Sequence, residues 1–514
     1  MATNSNVGNS TPIEDLVADL RRSIEGEVRF DAYTRAMYST DASIYQMDPV
    51  GVVLPRSPDD VSAVVSTART YGVPVLPRGG GTSLAGQAVN HAIVLDFSKY
   101  MHKVLEVNPE GKWVHTEPGV TIDALNRQLS TYGLLFAPDP STSSRANIGG
   151  AIGNNSCGAH SIIYGKTVDH VSALDVILSD GSMAKFERLN ERTLAQKLAS
   201  TGFEGDIYRK VHDLALNNQI EIERRYPKIM RRVGGYNLDL VREASSINLC
   251  NLVVGSEGTL AVATAAKLRL EPLPHRRGLA VVHFHSLSDA MEATESILEE
   301  KPAAVEHIGK MILQQARASL GFSRNLGFLQ GEPSDVLVVE FFGDGDAEIA
   351  SLLDRLKFRM KQSRLGYAVT TLTEMADQAK VWEMRRAGLG LMMNVSGDAK
   401  PIPFVEDTAV PVQRLPEYVK RFDEIVKSHG TEAGYYGHAS VGCLHIRPLV
   451  NLKLRQGIDR MESIASSISD LVLEFGGSMS AEHGDGIVRG VWTEKMFGST
   501  LYKAFRELKA AFDP

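Results

Sequence analysis

Three consecutive glycines and two hydroxyl residues stand in Pro77-Arg78-Gly79-Gly80-Gly81-Thr82-Ser83-Leu84-Ala85-Gly86-Gln87, directly after a short apolar stretch, Val73 to Leu76. Glycine has no Cβ to block positive φ, so successive backbone N–H groups can point into one concavity. Such a nest binds phosphate oxygens without a cationic side chain. The alternative is a tight turn that is merely glycine-rich. A second small-residue loop runs from Ile148 to Gly158 and a third from Gly255 to Leu260. Three separated loops of this kind suggest a long, extended ligand that contains phosphate. The first is not the Gly-x-Gly-x-x-Gly that opens a dinucleotide-binding helix. Nor is there a Gly-x-x-x-x-Gly-Lys-Ser/Thr run, so a nucleotide triphosphatase is not expected. Loops between strands would hold the phosphates.

The 514 residues are too many for one hydrophobic core, and at least two domains are expected. Hydrophobic content of 43% and charged content of 23% are those of a soluble globular protein. A net charge of −7 gives no reason to expect nucleic acid. Cys157, Cys250 and Cys443 form no Cys-x-x-Cys pair, which fits a reducing compartment and leaves no usual cysteine spacing for an iron–sulfur cluster within this chain. Met1 to Ser10 is polar, is expected to be disordered and lacks the apolar run of a signal peptide. No stretch approaches the roughly 18 apolar residues of a spanning helix. A cytoplasmic enzyme is expected, with peripheral membrane attachment through a partner left open.

The pattern along the chain alternates short strands and helices. Thr11 as N-cap, Pro12 at the first helical position and Glu14 predict a helix whose apolar face is Ile13, Leu16, Val17, Leu20 and Ile24. Val52 to Leu54 reads as a strand, Ser57-Pro58-Asp59-Asp60 starts a helix faced by Val61, Val64, Val65 and Ala68, and Val73 to Leu76 reads as the next strand. This is a βαβ unit, for which a right-handed crossover is expected. Further strands are expected at Ile93–Leu95, Trp113–His115, Val171–Leu178 and Asn251–Val254, with Pro118-Gly119-Val120 as a turn and Thr121 capping a helix through Leu129. Pro272, Pro274 and His275-Arg276-Arg277 mark a domain boundary. Beyond it, Leu279–Phe284 and Val336–Phe342 read as strands, with helices from Ser288 and over about 347–363. That order suggests an open sheet covered on one face. Pro416–Ser428 and Leu452–Phe475 read as helices.

Two further groups carry chemistry. Gly437-His438-Ala439-Ser440-Val441-Gly442-Cys443-Leu444-His445 places two histidines seven apart. On a straight helix they would lie roughly 10 Å apart along the axis, and on a straight strand they would face opposite sides. Gly437 and Gly442 allow the chain to bend, so that both rings could converge. Glu482-His483-Gly484-Asp485-Gly486 adds a carboxylate and a third imidazole. Two His and one Glu with an open position make a catalytic divalent-metal pattern; taken singly, each histidine is more often a surface or core residue. Trp382-Glu383-Met384-Arg385-Arg386, followed by Lys400, is either a grip for a carboxylate or a solvated basic helix face.

Together these residues resemble the FAD-dependent D-2-hydroxyacid dehydrogenases of the vanillyl-alcohol-oxidase superfamily, whose members act on D-lactate, glycolate and D-2-hydroxyglutarate. The resemblance runs from about Val52 to the end, with the motifs in the family's order. It implies an α+β chain: a two-subdomain FAD-binding fold of the vanillyl-alcohol-oxidase type plus an antiparallel-sheet substrate (cap) domain covered by helices. The implied divisions are an N-terminal tail and helix over 1–48, an FAD-binding domain over 49–274, a cap domain over 275–450, and a helical segment over 451–514 that returns to the FAD domain. The resemblance carries FAD contacts onto Arg78, Gly79, Gly80, Gly81, Thr82, Ser83 and Gly86, onto Pro118, Gly119, Pro138, Asp139 and Ser141, onto Gly149, Gly150, Asn154, Ser156 and Gly158, and onto Gly255, Glu257, Gly258 and Leu260. Relatives with a covalent flavin often carry His in the glycine loop where this chain has Thr82, so noncovalent FAD is implied.

The same resemblance makes His438, His445 and Glu482 ligands of a divalent metal, zinc being expected. It makes His483 the catalytic base and places Arg385 and Lys400 on the substrate carboxylate. Hydride would pass to flavin N5 and electrons onward to a non-oxygen acceptor such as a cytochrome, a quinone or an iron–sulfur domain or subunit. The location implied is cytoplasmic, or peripheral at the inner membrane through that acceptor, and a homo-oligomer is compatible with it. Gly437–Pro448 and Arg231-Arg232-Val233-Gly234-Gly235-Tyr236-Asn237-Leu238 resemble the large fused members, which carry an iron–sulfur half after the flavin half. The chain ends at Ala511-Phe512-Asp513-Pro514, short of the family's final Asn-Pro-Gly stretch, so the resemblance implies a truncation or a split subunit. Cys443 and Arg447 stand where simpler relatives often have Asn. D-lactate is the expected substrate, because no second basic pair stands out. The alternatives are D-2-hydroxyglutarate, whose second carboxylate would need a second cationic or hydroxyl-rich patch that Arg447 or Arg386 could supply, an oxidase that reduces oxygen directly, and a noncatalytic FAD-binding subunit of a glycolate-oxidase-like complex.

Overall fold

The computed structural model describes residues 13–243 and 246–514, so the expected cap at Thr11 and Pro12 and the expected disorder of residues 1–10 lie outside the described residues. The first helix, Ile13–Ser23, buries Leu16 and Leu20 as the spacing predicts. It packs against the helix Pro58–Tyr71, whose N-cap Ser57 accepts a hydrogen bond from the Asp60 N–H and whose Val61, Val64, Val65 and Ala68 are all buried.

Gly51–Leu54 and Val75–Arg78 both run parallel to Ile93–Asp96, which lies between them in a small sheet edged by Glu27–Arg29. The βαβ unit therefore steps over one strand. Its last strand extends past the expected Leu76, because Pro77 and Arg78 pair with Leu95 and Asp96. Pro77 is tolerated there since Val75–Arg78 is an edge strand, where a missing N–H costs no ladder bond. A second, antiparallel sheet runs in the order Arg242–Glu243, Ser246–Asn248, Met183–Leu189, Val171–Ile177, Val262–Arg269, Trp113–Thr116, Val104–Asn108 among the described residues. Thr121 caps the helix Ile122–Leu129 as expected. Asn251–Val254, expected as a strand, falls instead in a helical turn, Cys250–Val253. A short apolar run is ambiguous by periodicity, and Asn248 Oδ1 settles it by accepting the Cys250 N–H at 3.0 Å.

The third sheet is antiparallel and runs Ala368–Leu372, Arg276–Phe284, Asp335–Gly343, Ala304–Ile308, Ala433–His438, Cys443–Val450, Lys400–Pro401, with Asp407–Ala409 also paired to Cys443–Val450. Helices cover both of its faces, not one. Ala280, Val282, Leu337 and Val339 pack with Met291, Ile297, Ile349 and Leu353. Their neighbours Leu279, Val281, Val336 and Val338 pack on the opposite side with Ile312, Leu313, Val381 and Met384. The unbroken apolar run Leu279–Val282 is what a strand buried on both faces requires. The C-terminal helix Thr493–Phe512 returns to the first half of the chain, where Phe512 meets the edge of Phe186 at 6.4 Å. The architecture is α+β, as expected. Among the described residues, no helix is long and apolar enough to cross a membrane.

Candidate active site

The glycine loop forms one wall of a cavity. A Cβ on Gly80 would lie 2.2 Å from the Arg145 carbonyl oxygen, and Gly81 has φ +63°. Only glycine permits that approach and that conformation. Segment 145–147 leads into the helix Ile148–Asn154, which forms the facing wall. Of the residues expected at FAD, Arg78, Gly79, Gly80, Gly81, Thr82, Ser83, Pro118, Ser141, Gly149, Gly150, Asn154, Ser156, Glu257 and Gly258 line this cavity. Gly86, Gly119, Pro138, Asp139, Gly158, Gly255 and Leu260 do not line it. Several of these serve packing: a Cβ on Gly119 would meet the Phe97 carbonyl oxygen at 2.2 Å, a Cβ on Gly158 would meet that of Asp139 at 2.0 Å, and Leu260 is a core residue. Asp139 is turned to His160 Nδ1, 2.6 Å away. Asn147 and Gln87 line the cavity and were not expected.

Arg78 is the one basic side chain other than His483 on this lining, and its guanidinium donates to the Tyr38, Thr40 and Ala88 carbonyls. Phosphate there would meet backbone N–H groups rather than a free cation. A Cβ on Gly150 would touch nothing within 4 Å, so space lies open beside the helix. This lining fits FAD.

The histidine motif is a hairpin. Ala433–His438 and Cys443–Val450 pair antiparallel, and Gly437 (φ +141°) and Gly442 (φ +68°) permit the turn. The bend brings the His438 and His445 ring centroids to 5.3 Å. Glu482 joins them: its Oε2 is 2.9 Å from His438 Nε2 and 3.8 Å from His445 Nε2. The three side chains are buried and offer ligand atoms within 4.8 Å of one another. His445 Nδ1 has no hydrogen-bond partner. Burial, with His483 and His438 nearby, holds the His445 pKa well below the ordinary value, so the ring is a neutral lone-pair donor. Two imidazoles and a carboxylate fit a divalent ion. His445 is also within reach of Glu406 with His483, and of Asp407 with Cys443.

Buried acids that local patterning did not single out complete the cluster. Glu306 accepts from His438 Nδ1 at 2.7 Å on one oxygen and from Arg385 Nε at 2.8 Å on the other. Arg231, fully buried, donates to Glu482 at 3.2 Å and to the Gly158 carbonyl at 2.6 Å. Asp407 accepts the backbone N–H groups of Ala481, Glu482 and His483 at 3.0, 2.9 and 2.7 Å. His483 Nδ1 lies 2.8 Å from Glu406 Oε1. The signal for Glu406 and Asp407 was present in the sequence: two adjacent acids inside the apolar run Phe404–Val410 must be buried, and buried acids need partners.

His483 and Glu482 face the cavity of the glycine loop. Arg385, Arg386, Trp382, Glu306 and His438 line a second cavity, which shares Pro140 and Ser141 with the first. Lys400 lines neither of these cavities. It pairs with Val450, five residues along the strand from His445, and its Nζ donates to the Val395 carbonyl at 2.6 Å. At about 3.4 Å per residue that sets the Lys400 backbone roughly 17 Å along the strand from that of His445. Arg447, offered as a distal anchor, is buried with Nε on Glu406 Oε2. Arg386 is exposed on the second cavity.

Two protein families match this sequence: the FAD binding domain over residues 49–187 and the C-terminal domain of FAD linked oxidases over residues 273–514. A curated D-2-hydroxyglutarate dehydrogenase from Pseudomonas putida is 34% identical, the match covering 99% of this chain and 52% of that protein. A D-lactate dehydrogenase from Archaeoglobus fulgidus is 28% identical over 90% of this chain and 88% of its own length. The chain thus spans about half the length of the D-2-hydroxyglutarate dehydrogenases it matches. Among solved structures, p-cresol methylhydroxylase superposes with a TM-score of 0.71 at 13% identity, covering 98% of this chain and 94% of that one. The fold is thus that of the vanillyl-alcohol-oxidase type.

Proposed function

The chain belongs to the FAD-linked oxidase family, and from that premise we propose that it oxidises a D-2-hydroxy acid, D-2-hydroxyglutarate, to the 2-oxo acid. The observation that carries this reading is a convergence: His483 opens on the cavity of the glycine loops, while Arg385 and His438 open on the cavity that adjoins it. FAD on the N–H groups of Gly79–Ser83 and the wall Gly149–Asn154 would supply the two-electron acceptor. A divalent ion on His438, His445 and Glu482 would supply a Lewis acid at the substrate hydroxyl.

This chain's own residues do the rest. Arg385 spends Nε and one terminal nitrogen on Glu306, which fixes the guanidinium and leaves its other terminal nitrogen for the substrate carboxylate. His483 takes the hydroxyl proton. Trp382 and the ring of His160 wall the second cavity.

The expected preference for D-lactate gives way to the dicarboxylate. The relatives that match at 34 to 36% identity are D-2-hydroxyglutarate dehydrogenases, against 28% for the D-lactate enzyme of Archaeoglobus. Arg386 on the second cavity supports this reading, since a distal carboxylate needs a second cation there. The electron acceptor is proposed as a cytochrome, quinone or iron–sulfur partner. Anaerobic addition of D-2-hydroxyglutarate should bleach the flavin absorbance, and the L-enantiomer should not. His483→Asn should slow that bleaching by at least about 100-fold. An unchanged rate removes His483 from the chemistry, and peroxide formed at the full rate in air makes the protein an oxidase.

A further inference from the structure

Glu406 is paired with His483 at ring nitrogen Nδ1. It is fully buried and lies just before the short strand Asp407–Ala409, which pairs with the strand carrying His445. One of its oxygens is 2.8 Å from His483 Nδ1, and the other ion-pairs with Arg447, itself buried. Its neighbour Asp407 holds the backbone of the same loop through three N–H groups. The two adjacent acids share the support of this loop. Asp407 fixes the main chain of residues 481–483, and Glu406 fixes the side chain of His483.

We infer that Glu406 is the positioning residue for the catalytic base, locking His483 with its proton on Nδ1 and its lone pair on Nε2, with Arg447 paired to the other oxygen of Glu406. The inference rests on the proposed role of His483. Its chemistry is simple. An ionised carboxylate only accepts hydrogen bonds, so the nitrogen that faces it must carry the hydrogen. Nε2 is then the acceptor. When it takes the hydroxyl proton, one O–H bond breaks and one N–H bond forms. The imidazolium charge then rests against Glu406, which stays ionised. Burial alone would raise the Glu406 carboxyl pKa, but Arg447 and His483 outweigh it and hold it well below the ordinary range.

The test uses the full chain with FAD bound, as wild type, Glu406→Ala and Glu406→Gln. In protein labelled with 15N-histidine, with the signal assigned by its loss in His483→Asn, the ring of His483 should be the Nδ1–H tautomer in wild type. Glu406→Gln has one oxygen, which Arg447 draws, so its amide NH2 group faces Nδ1 and should shift the ring to the Nε2–H tautomer; Glu406→Ala should lose the Nδ1–H preference. Flavin reduction should fall at least about 100-fold in Glu406→Ala and in Glu406→Gln, with substrate Kd held within about threefold in both. An unchanged tautomer in Glu406→Ala overturns the inference, as does an unchanged reduction rate. Loss of bound metal from a folded Glu406→Ala also overturns it, by making Glu406 a ligand. If Glu406→Ala does not fold, the isosteric Gln variant must still slow reduction at unchanged Kd, and wild-type behaviour there sinks the idea. The spectroscopic arm needs no substrate. It therefore reads the positioning even if no 2-hydroxy acid reduces the flavin, the result that would instead overturn the proposed function.

Discussion

The imidazoles of His445 and His483 lie ring on ring, their centroids 4.7 Å apart and their planes within 11° of parallel. Two charged rings at that distance would repel strongly in a buried site. The surroundings separate their roles. Burial and the neighbouring His483 and His438 hold His445 neutral. Burial also works against charge on His483, but Asp407 and Glu406 outweigh it and raise its pKa. One ring is set up to stay neutral as a lone-pair donor, the other to accept a proton.

Metal removal follows from that division. Chelation should abolish turnover while FAD stays bound, because the glycine loops and the His438, His445 and Glu482 set lie on different segments. His445→Ala should lack the ion in elemental analysis while its flavin absorbance persists. Full activity in metal-free protein would make the cluster a structural hydrogen-bond network.

The flavin cavity is tested at Gly150. This residue lies in the helix Ile148–Asn154, and a Cβ there would meet nothing within 4 Å. Gly150→Leu should leave the fold intact, since replacing a helical glycine gains up to about 1 kcal/mol in propensity. Its side chain should fill the space the cofactor needs. The expected result is unchanged Tm of the flavin-free protein and loss of bound FAD by absorbance. Full flavin content would place the cofactor elsewhere.

Substrate choice separates Arg386 from Arg447. The ratio of kcat/KM for D-2-hydroxyglutarate over D-lactate should be tenfold or more, about 1.4 kcal/mol. Arg386→Ala should erase that margin. Arg447→Ala should slow both substrates alike, because Arg447 is neutralised by Glu406 and does not line the second cavity. Equal or better use of D-lactate by the wild type would restore the lactate reading.

Glu257 makes stability depend on pH. Burial, then Asp485, raise its pKa from 4.5 to about 7, against hydrogen bonds from the Gly486 N–H and Gln87. Between those values the folded chain holds a proton that the unfolded chain has released. The Glu257 contribution to stability is therefore complete below about 4.5, falls as pH rises toward 7, and is flat above. Glu257→Gln cannot titrate, so its Tm relative to wild type should climb between pH 5 and 7 and then level off. A pH-independent difference would show that the carboxyl titrates normally.

Much of the local structure was legible in the chain itself. The spacing of Val61, Val64, Val65 and Ala68, the Ser57 and Thr121 caps, and the glycines on either side of the His438 turn all act through residues near in sequence. Glycine's backbone freedom and the helical period are local properties, so the sequence alone determined the loops, most helices and the convergence of His438 with His445. Two-sided coverage of the third sheet was also written in the unbroken run Leu279–Val282, though only packing showed what covered each face. The partners of the charges were decided by the tertiary structure. Glu306 reaches His438 because strands far apart in sequence pair in one register, and Glu406 reaches His483 because its neighbour Asp407 holds the 481–483 loop against it. Register also sets Lys400 against Val450, and Lys400 lines neither cavity. A buried charge must find an opposite charge or a donor within hydrogen-bond reach, and which group stands there is set by strand order and register, which no short stretch of sequence encodes.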